Sequence, residues 1–155
     1  MHALINGRPV EFEAGETILT VARRTGFYIP SLCELADIDH TPGTCRVCLV
    51  EAKRVGQAAA VVVTSCNTPM EEGLEVQTRT TKIREMQKLQ TELLFADHDQ
   101  ECATCARHGQ CELQDVAQFV GLKENRFFDP IRVAQREIDR SSPAMVRDMT
   151  KCIRC

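Results

Sequence analysis

Residues 43–51, which read Gly-Thr-Cys-Arg-Val-Cys-Leu-Val-Glu, decide how the first half of the chain is interpreted. The Cys-x-x-Cys pair in this stretch lies where an irregular segment, residues 31–46, meets the apolar residues of a strand. Such a pair lets two thiolates converge on one metal centre, and Gly43 allows the backbone to approach that centre closely. The stretch therefore predicts a metal-binding loop that enters a β-strand.

The chain contains nine cysteines among its 155 residues. Because nine is odd, a fully paired set of disulfides within one chain is excluded. The cysteines are clustered, with Cys-x-x-Cys pairs at positions 45/48, 102/105 and 152/155. This clustering favours metal ligation over redox dithiols or inert core cysteines.

Four cysteines of the first half form one candidate ligand set: Cys33, Cys45, Cys48 and Cys66. A [2Fe–2S] cluster needs four thiolates, whereas zinc sites with four cysteines more often contain two Cys-x-x-Cys pairs, and this set has one. We therefore favour iron–sulfur over zinc. Gly43 and Arg46 are the candidate cofactor-binding residues, because backbone N–H groups of their loop can donate to the sulfurs.

A second candidate set follows a predicted helix: His98, Cys102, Cys105 and Cys111. One imidazole and three thiolates suit a tetrahedral zinc ion, and they also suit a [4Fe–4S] cluster with one histidine ligand. The residues alone leave these two alternatives open. Asp97 or Asp99 is expected to orient the imidazole as an acceptor for its second nitrogen. His2 and His40 carry no metal-binding signal. His108 lies inside the loop and could compete as a ligand, but an exposed side chain is the simpler expectation.

Cys152 and Cys155 end the chain and form a third pair. Two thiolates complete neither a [4Fe–4S] cluster nor a structural zinc site. We expect an incomplete [4Fe–4S] site here, at the start of a truncated ferredoxin domain.

The pattern of the first 78 residues predicts a small α+β domain. Asn-Gly at positions 6–7 indicates a tight hairpin between strands at 3–5 and 10–13. A helix is predicted over 16–25. Further strands are predicted at 47–51, at 58–64 as a buried strand, and at 74–78.

Helical patterns dominate after residue 80. A helix is predicted over 81–96, with an inward stripe of five apolar residues: Ile83, Met86, Leu89, Leu93 and Leu94. A second helix is predicted over 112–120, and residues 123–142 are expected to form a connector on the surface.

The composition excludes several classes of protein. Hydrophobic residues make up 43% and charged residues 26%, which is typical of a folded globular chain rather than a disordered one. Nineteen basic residues against 22 acidic ones give a formal charge of −3, which argues against a nucleic-acid-binding surface. No apolar run approaches the roughly 18 residues of a membrane span. Residues 1–7 lack the pattern of a secretory signal, so a cytoplasmic location is expected.

The motifs resemble a known group of iron–sulfur subunits. Residues 29–33, 43–51 and 65–69 resemble the N-terminal [2Fe–2S] domain of the large iron–sulfur subunit of complex I, of the catalytic subunit of multimeric [FeFe] hydrogenases, and of NAD-dependent formate dehydrogenases. Residues 98–114 are similar to the [4Fe–4S] segment with one histidine and three cysteines that follows in all three. Residues 139–155 are most similar to the NAD(P)-linked, often electron-bifurcating [FeFe] hydrogenases.

The resemblance implies a β-grasp [2Fe–2S] ferredoxin-like domain at 1–79 and a small helical [4Fe–4S] domain at 80–121. A connector at 122–148 and the start of a ferredoxin domain at 149–155 would follow. The implied role is an electron relay without a catalytic centre of its own. The implied partners are a flavin- and NAD(P)-binding iron–sulfur subunit and a small [2Fe–2S] subunit in a hetero-oligomer. The alternatives are the same relay in a formate dehydrogenase or complex I, and a zinc-stabilised interaction module.

Overall fold

The computed structural model describes residues 1–35, 37–38, 40–134 and 137–153. Its first element is an antiparallel hairpin. Strands β1 (His2–Ile5) and β2 (Arg8–Glu11) pair across a two-residue turn. Asn6 and Gly7 both have positive φ angles, 51° and 78°, as the favoured two-residue hairpin turn requires. The hairpin predicted from Asn-Gly is therefore confirmed.

Three further strands complete a mixed five-stranded sheet of order β2-β1-β5-β3-β4: β3 (Leu49–Arg54), β4 (Val61–Thr64) and β5 (Leu74–Gln77). Only β1 and β5 are parallel among these four pairings. Helix α1 (Ile18–Arg24) buries its apolar residues with those of the sheet in a first core. It starts two residues later than predicted, because the Thr17 hydroxyl caps it by accepting from the Thr20 N–H at 3.2 Å. The predicted α+β class is confirmed.

The prediction of a buried strand over 58–64 is wrong. Strand β4 begins at Val61, and none of its residues is buried. It lies at the edge of the sheet and pairs only with β3, so solvent reaches its other side. Residues 58–60 lie outside the strand and are mostly exposed.

Helix α2 (Thr81–Ala96) has the predicted bounds but a different buried face. Leu89 and Leu93 are 37% and 47% exposed, so the predicted apolar stripe is wrong at these two positions. The buried face instead contains Gln87 and Thr91. Gln87 is buried at low cost because its Nε2 donates to the carbonyl of Leu49 at 2.9 Å.

The last third of the chain contains more regular structure than the predicted connector. Helix α3 (Glu112–Phe119) is followed by α4 (Pro130–Ala134) and by a two-stranded antiparallel sheet of β6 (Ile138–Asp139) and β7 (Arg147–Asp148). The Asp129 carboxylate starts α4 by accepting from the N–H groups of the next turn. Two single-turn 3₁₀ helices lie at Cys102–Thr104 and Met149–Lys151. Among the described residues, no helix is long and apolar enough to cross a membrane.

A second core joins the cysteine-rich loop to the helices. We use this name for seven buried residues: Leu32, Cys33, Cys45, Val47, Phe95, Leu113 and Val116. Residues from before β3, from α2 and from α3 therefore pack together. Cys111 and Ile153 pack against this cluster from its edge. The second core places the loop of the first candidate set beside the second set.

Candidate metal centres

The four cysteines of the first candidate set lie together and are all buried free thiols. Cys33 and Cys45 belong to the loop before β3, Cys48 directly precedes β3, and Cys66 follows β4. The structure thus brings together the complete set that the spacing predicted.

The four thiols interact mainly as two pairs. The side chain of Cys33 interacts with that of Cys45, and the side chain of Cys48 with that of Cys66. The neighbouring Cys66 thiol is the main reason why the pKa of Cys48 is lowered to about 6. The Cys48 side chain and burial raise the pKa of Cys66. The donor set is thus disposed two by two.

Backbone N–H groups surround Cys33. Burial acts to raise the pKa of its thiol, but N–H groups of the loop, those of Cys45 and Gly43 foremost, outweigh burial and lower that pKa. The Gly43 N–H lies 3.3 Å from the Cys33 Sγ. The loop N–H groups therefore stabilise negative charge on the Cys33 sulfur even without a bound metal.

The structure adds a second reason for a glycine at position 43. Gly43 has a φ of 131°, and a Cβ there would lie 2.7 Å from the Nδ2 of Asn67. The glycine is needed for contact with Asn67, whose amide donates to the carbonyl of Pro42 at 3.2 Å. Arg46 has a left-handed backbone, with a φ of 54°, in the middle of the Cys-x-x-Cys turn, and its side chain is exposed.

His40 is a residue that the sequence analysis missed. Its Nε2 lies 2.8 Å from the Cys33 carbonyl, and its Nδ1 lies 3.1 Å from the Ile38 carbonyl. Both partners are acceptors, so the imidazolium form, in which both nitrogens donate, satisfies both contacts, and the Cys33 carbonyl is the main cause of a raised His40 pKa. His40 thus holds the loop in place at a ligand candidate. Its position inside the irregular segment was the only available signal.

Three members of the second candidate set line a cavity of ≈ 370 Å³. His98, Cys105 and Cys111 line it, together with apolar side chains that include Leu32 and Ile153. Cys102 lies at the start of the neighbouring 3₁₀ helix and is not among the described lining residues. Three of the four predicted ligands therefore face one space, and Leu32 places that space next to the first site.

His98 has the features of a metal ligand. It is buried, and within the described part of the chain its Nδ1 has no hydrogen-bond partner. Burial lowers the pKa of His98, which keeps the imidazole neutral with a free lone pair. An orphaned buried nitrogen is costly unless something binds it, and a metal centre is the natural partner.

The two aspartates that were expected to orient His98 both form ion pairs with cations. Asp97 pairs with Arg132 at 2.9 Å, and Asp99 pairs with Lys151 at 2.5 Å. Both carboxylates are engaged by cations from later segments, which no local pattern around His98 indicates. His108 is exposed, as predicted.

The first donor set fits a two-iron cluster better than a single ion. Over the described ranges, no three or more His, Cys, Asp or Glu side chains converge as a site for one metal ion. A structural zinc ion needs four donors around one point, whereas a two-iron cluster needs two thiolates for each iron. Two thiol pairs at the first site match the second requirement. At the third pair, Cys152 is half-buried, and Cys155 lies outside the described residues.

Comparison with known families agrees with this chemistry. A family model described as "2Fe-2S iron-sulfur cluster binding domain" matches residues 1–81. A second, described as "NADH-ubiquinone oxidoreductase-G iron-sulfur binding region", matches residues 87–126. The chain belongs to the 2Fe-2S iron–sulfur cluster binding domain family, followed by an NADH-ubiquinone oxidoreductase-G type iron–sulfur region. The resemblance seen in the sequence is confirmed at this level.

Similar proteins are components of redox enzymes. The chain is 34% identical to the G 2 subunit of NADH-quinone oxidoreductase from Rhizobium meliloti, over 97% of this chain and 17% of that protein. It is 35% identical to the gamma subunit of the NAD-reducing hydrogenase HoxS from Cupriavidus necator, over 97% of this chain and 61% of that protein.

A solved structure has a closely similar fold. It is a crystal structure of an NAD⁺-reducing [NiFe]-hydrogenase in the H2-reduced state, matched with a TM-score of 0.77 at 30% identity. The match covers 92% of this chain and 57% of that one. The chain thus spans less than two thirds of the length of each of these relatives.

Proposed function

We propose that the chain is an iron–sulfur electron-transfer module of an NAD(P)-linked oxidoreductase. In this proposal the first set of four cysteines holds a [2Fe–2S] cluster. His98, with Cys102, Cys105 and Cys111, holds a [4Fe–4S] cluster. The observation that carries the proposal is the arrangement of four buried thiols in two pairs, beside a cavity that contains an unpartnered buried imidazole.

When bound, such clusters accept and return single electrons. The chain's own residues create the conditions for this. The loop N–H groups, with that of Gly43 at 3.3 Å from Cys33, stabilise charge on sulfur. The first core and the second core bury the thiols, and exclusion of water limits reorganisation around a changing charge. Neutral His98 brings one negative charge fewer than a thiolate would, which raises the potential of its site.

Electron transfer between the two sites is supported by the second core. Cys33 and Cys45 are members of this core, and Cys111 packs against it. Leu32, next to Cys33 in the chain, also lines the cavity of the second site. The two donor sets therefore share one apolar wall.

The finer form of the proposal concerns the whole enzyme. We assign the module to the catalytic subunit of an NAD(P)-linked [FeFe] hydrogenase, on the resemblance of residues 139–155. Its partners would be a flavin- and NAD(P)-binding subunit and a small [2Fe–2S] subunit in a hetero-oligomer. Cys152 and Cys155 would be the first ligands of a further [4Fe–4S] cluster. The proposed units remain 1–79, 80–121, 122–148 and 149–155.

A second candidate for the parent enzyme is favoured by particular comparisons. The solved relative is an NAD⁺-reducing [NiFe]-hydrogenase, and another relative is a subunit of NADH-quinone oxidoreductase. The relay would serve the same purpose there. Hydrogen-dependent reduction of NAD(P) by the purified native complex separates the hydrogenases from the quinone reductase, and metal analysis for nickel separates the two hydrogenases.

The relay itself is tested by iron and acid-labile sulfide content with EPR after dithionite reduction, on anaerobically purified protein. About six irons and six sulfides in two distinct clusters are expected. Cys66→Ser should lose the [2Fe–2S] signal alone. Met70→Leu is the matched control, because Met70 is a buried sulfur-containing side chain of the same first core that is no proposed ligand. Zinc without sulfide in the wild-type protein would establish the zinc-stabilised module instead.

A further inference from the structure

The segment 149–153 folds back onto the second site. The Asp99 N–H donates to the Thr150 carbonyl at 2.8 Å, and the Lys151 Nζ lies 2.5 Å from the Asp99 Oδ2. Ile153 packs against the second core. Lys151 and Ile153 both line the cavity that His98, Cys105 and Cys111 face. A segment far along the chain thus supplies part of the wall of the site.

Lys151 brings a fixed positive charge to this wall. Its side chain is 34% exposed, so water screens it only in part. Hydrogen bonding to Asp99 raises the pKa of Lys151, and its charge acts on both His98 and Cys105. Two further charged residues line the cavity: Arg107 is positive and Glu112 is negative, so their charges oppose each other.

We propose that Lys151 tunes the second centre: its ammonium group, which the backbone bond from Asp99 to Thr150 and the packing of Ile153 keep at the cavity wall, favours added negative charge in the cavity and raises the reduction potential of the cluster there. The inference rests on the proposed function, since it requires a cluster in the cavity. It also couples the site to the segment that carries Cys152.

Asp99 acts in the opposite direction. Its carboxylate offsets the charge of Lys151 and adds a negative charge directly after His98. In the wild type, the Asp99 Oδ1 accepts a hydrogen bond from the Glu101 N–H at 3.0 Å. Asparagine at this position keeps an oxygen that can accept the same bond. Asp99→Asn should therefore raise the potential, whereas Lys151→Met should lower it. A purely structural role would disturb the site in the same way in both variants.

The test is an EPR-monitored redox titration of the second cluster in the full chain, purified anaerobically. At a fixed potential, Lys151→Met should lower the reduced-to-oxidised ratio about threefold to tenfold and Asp99→Asn should raise it, because water reaches both partly exposed side chains and screens their charges to near the strength they have in bulk water. Lys151→Arg should leave the ratio near that of the wild type. The matched control is Arg54→Met, which breaks an ion pair with Glu71 on the sheet and should shift nothing.

The inference would be overturned, while the proposed function stands, if the reduced-to-oxidised ratios of Lys151→Met and Asp99→Asn equalled that of the wild type. A shift of the ratio in the same direction in both variants would also overturn it. If Lys151→Met loses the second signal, the other two variants decide: an increase in Asp99→Asn with an unchanged Lys151→Arg supports the inference, and any other result refutes it. Absence of a second signal in the wild type would refute the proposed second cluster itself, and the inference with it.

Discussion

Replacement of Gln87 by methionine should destabilise the attachment of α2 to the sheet. Gln87 is only 2% exposed, and its Nε2 donates to the Leu49 carbonyl at 2.9 Å. Strand β5 pairs with β3 only from Glu51 to Arg54, so the amide of Gln87 serves the β3 carbonyl that lies beyond the end of β5. Methionine has a similar length but no N–H donor. The Leu49 carbonyl would remain buried without this partner, which costs about 1–3 kcal/mol.

The assay is urea unfolding followed by circular dichroism, on preparations of equal iron content. With a urea m-value of about 2 kcal/mol per molar, the midpoint of Gln87→Met should fall by about 0.5–1.5 M. The same substitution at half-buried Gln90 of the same helix is the control, and it should change the midpoint much less. Equal midpoints for the two variants would refute the assigned role of the buried amide.

Three further predictions concern the loop and the buried carboxylate. Gly43→Ala should lower the free energy of unfolding by about 1–3 kcal/mol, measured by thermal melting, because of its φ of 131° and the contact with Asn67, and a second change, Asn67→Ala, should recover part of the loss. His40 has a raised pKa, so its contribution to stability is complete below the unfolded pKa near 6.5 and is lost as the pH rises through the folded pKa. The melting temperatures of the wild type and of His40→Gln should therefore converge above that pH range. A difference in melting temperature that stays constant with pH would contradict this. Arg126 lowers the pKa of Glu92, so the stabilisation from Glu92 is present above about pH 4.3 and is lost as the pH falls through the folded pKa. Acid unfolding of Glu92→Gln should therefore show a shallower pH dependence than that of the wild type.

Local patterns predicted much of the fold because the elements concerned depend on neighbouring residues. The hairpin follows from the two positive φ angles that Asn6 and Gly7 tolerate. The bounds of α2 follow from a capping threonine, Thr80, which accepts from the Ile83 N–H at 3.2 Å. The buried face of α2 could not be predicted this way, because burial of a polar side chain depends on a distant carbonyl.

The candidate site shows the same division. Cysteine spacing predicted the four thiols of the first candidate set, which the fold buries together, since Cys-x-x-Cys clusters are typical of metal ligation. The pairing of Asp99 with Lys151 and the contact of His40 with Cys33 were not foreseen. Both involve ordinary charged or polar residues whose role exists only after the chain has folded back. The edge position of β4 likewise depends on strand order, which a run of apolar residues does not encode.

The second core can form only after the later helices have been synthesised, because it joins residues from distant parts of the chain. Leu32 and Val47 leave the ribosome before Phe95 and Val116, yet all four side chains belong to one apolar cluster. Loop thiols are therefore open to solvent and oxidants until the later helices have been made and have docked. This interval defines when iron delivery competes with oxidative damage.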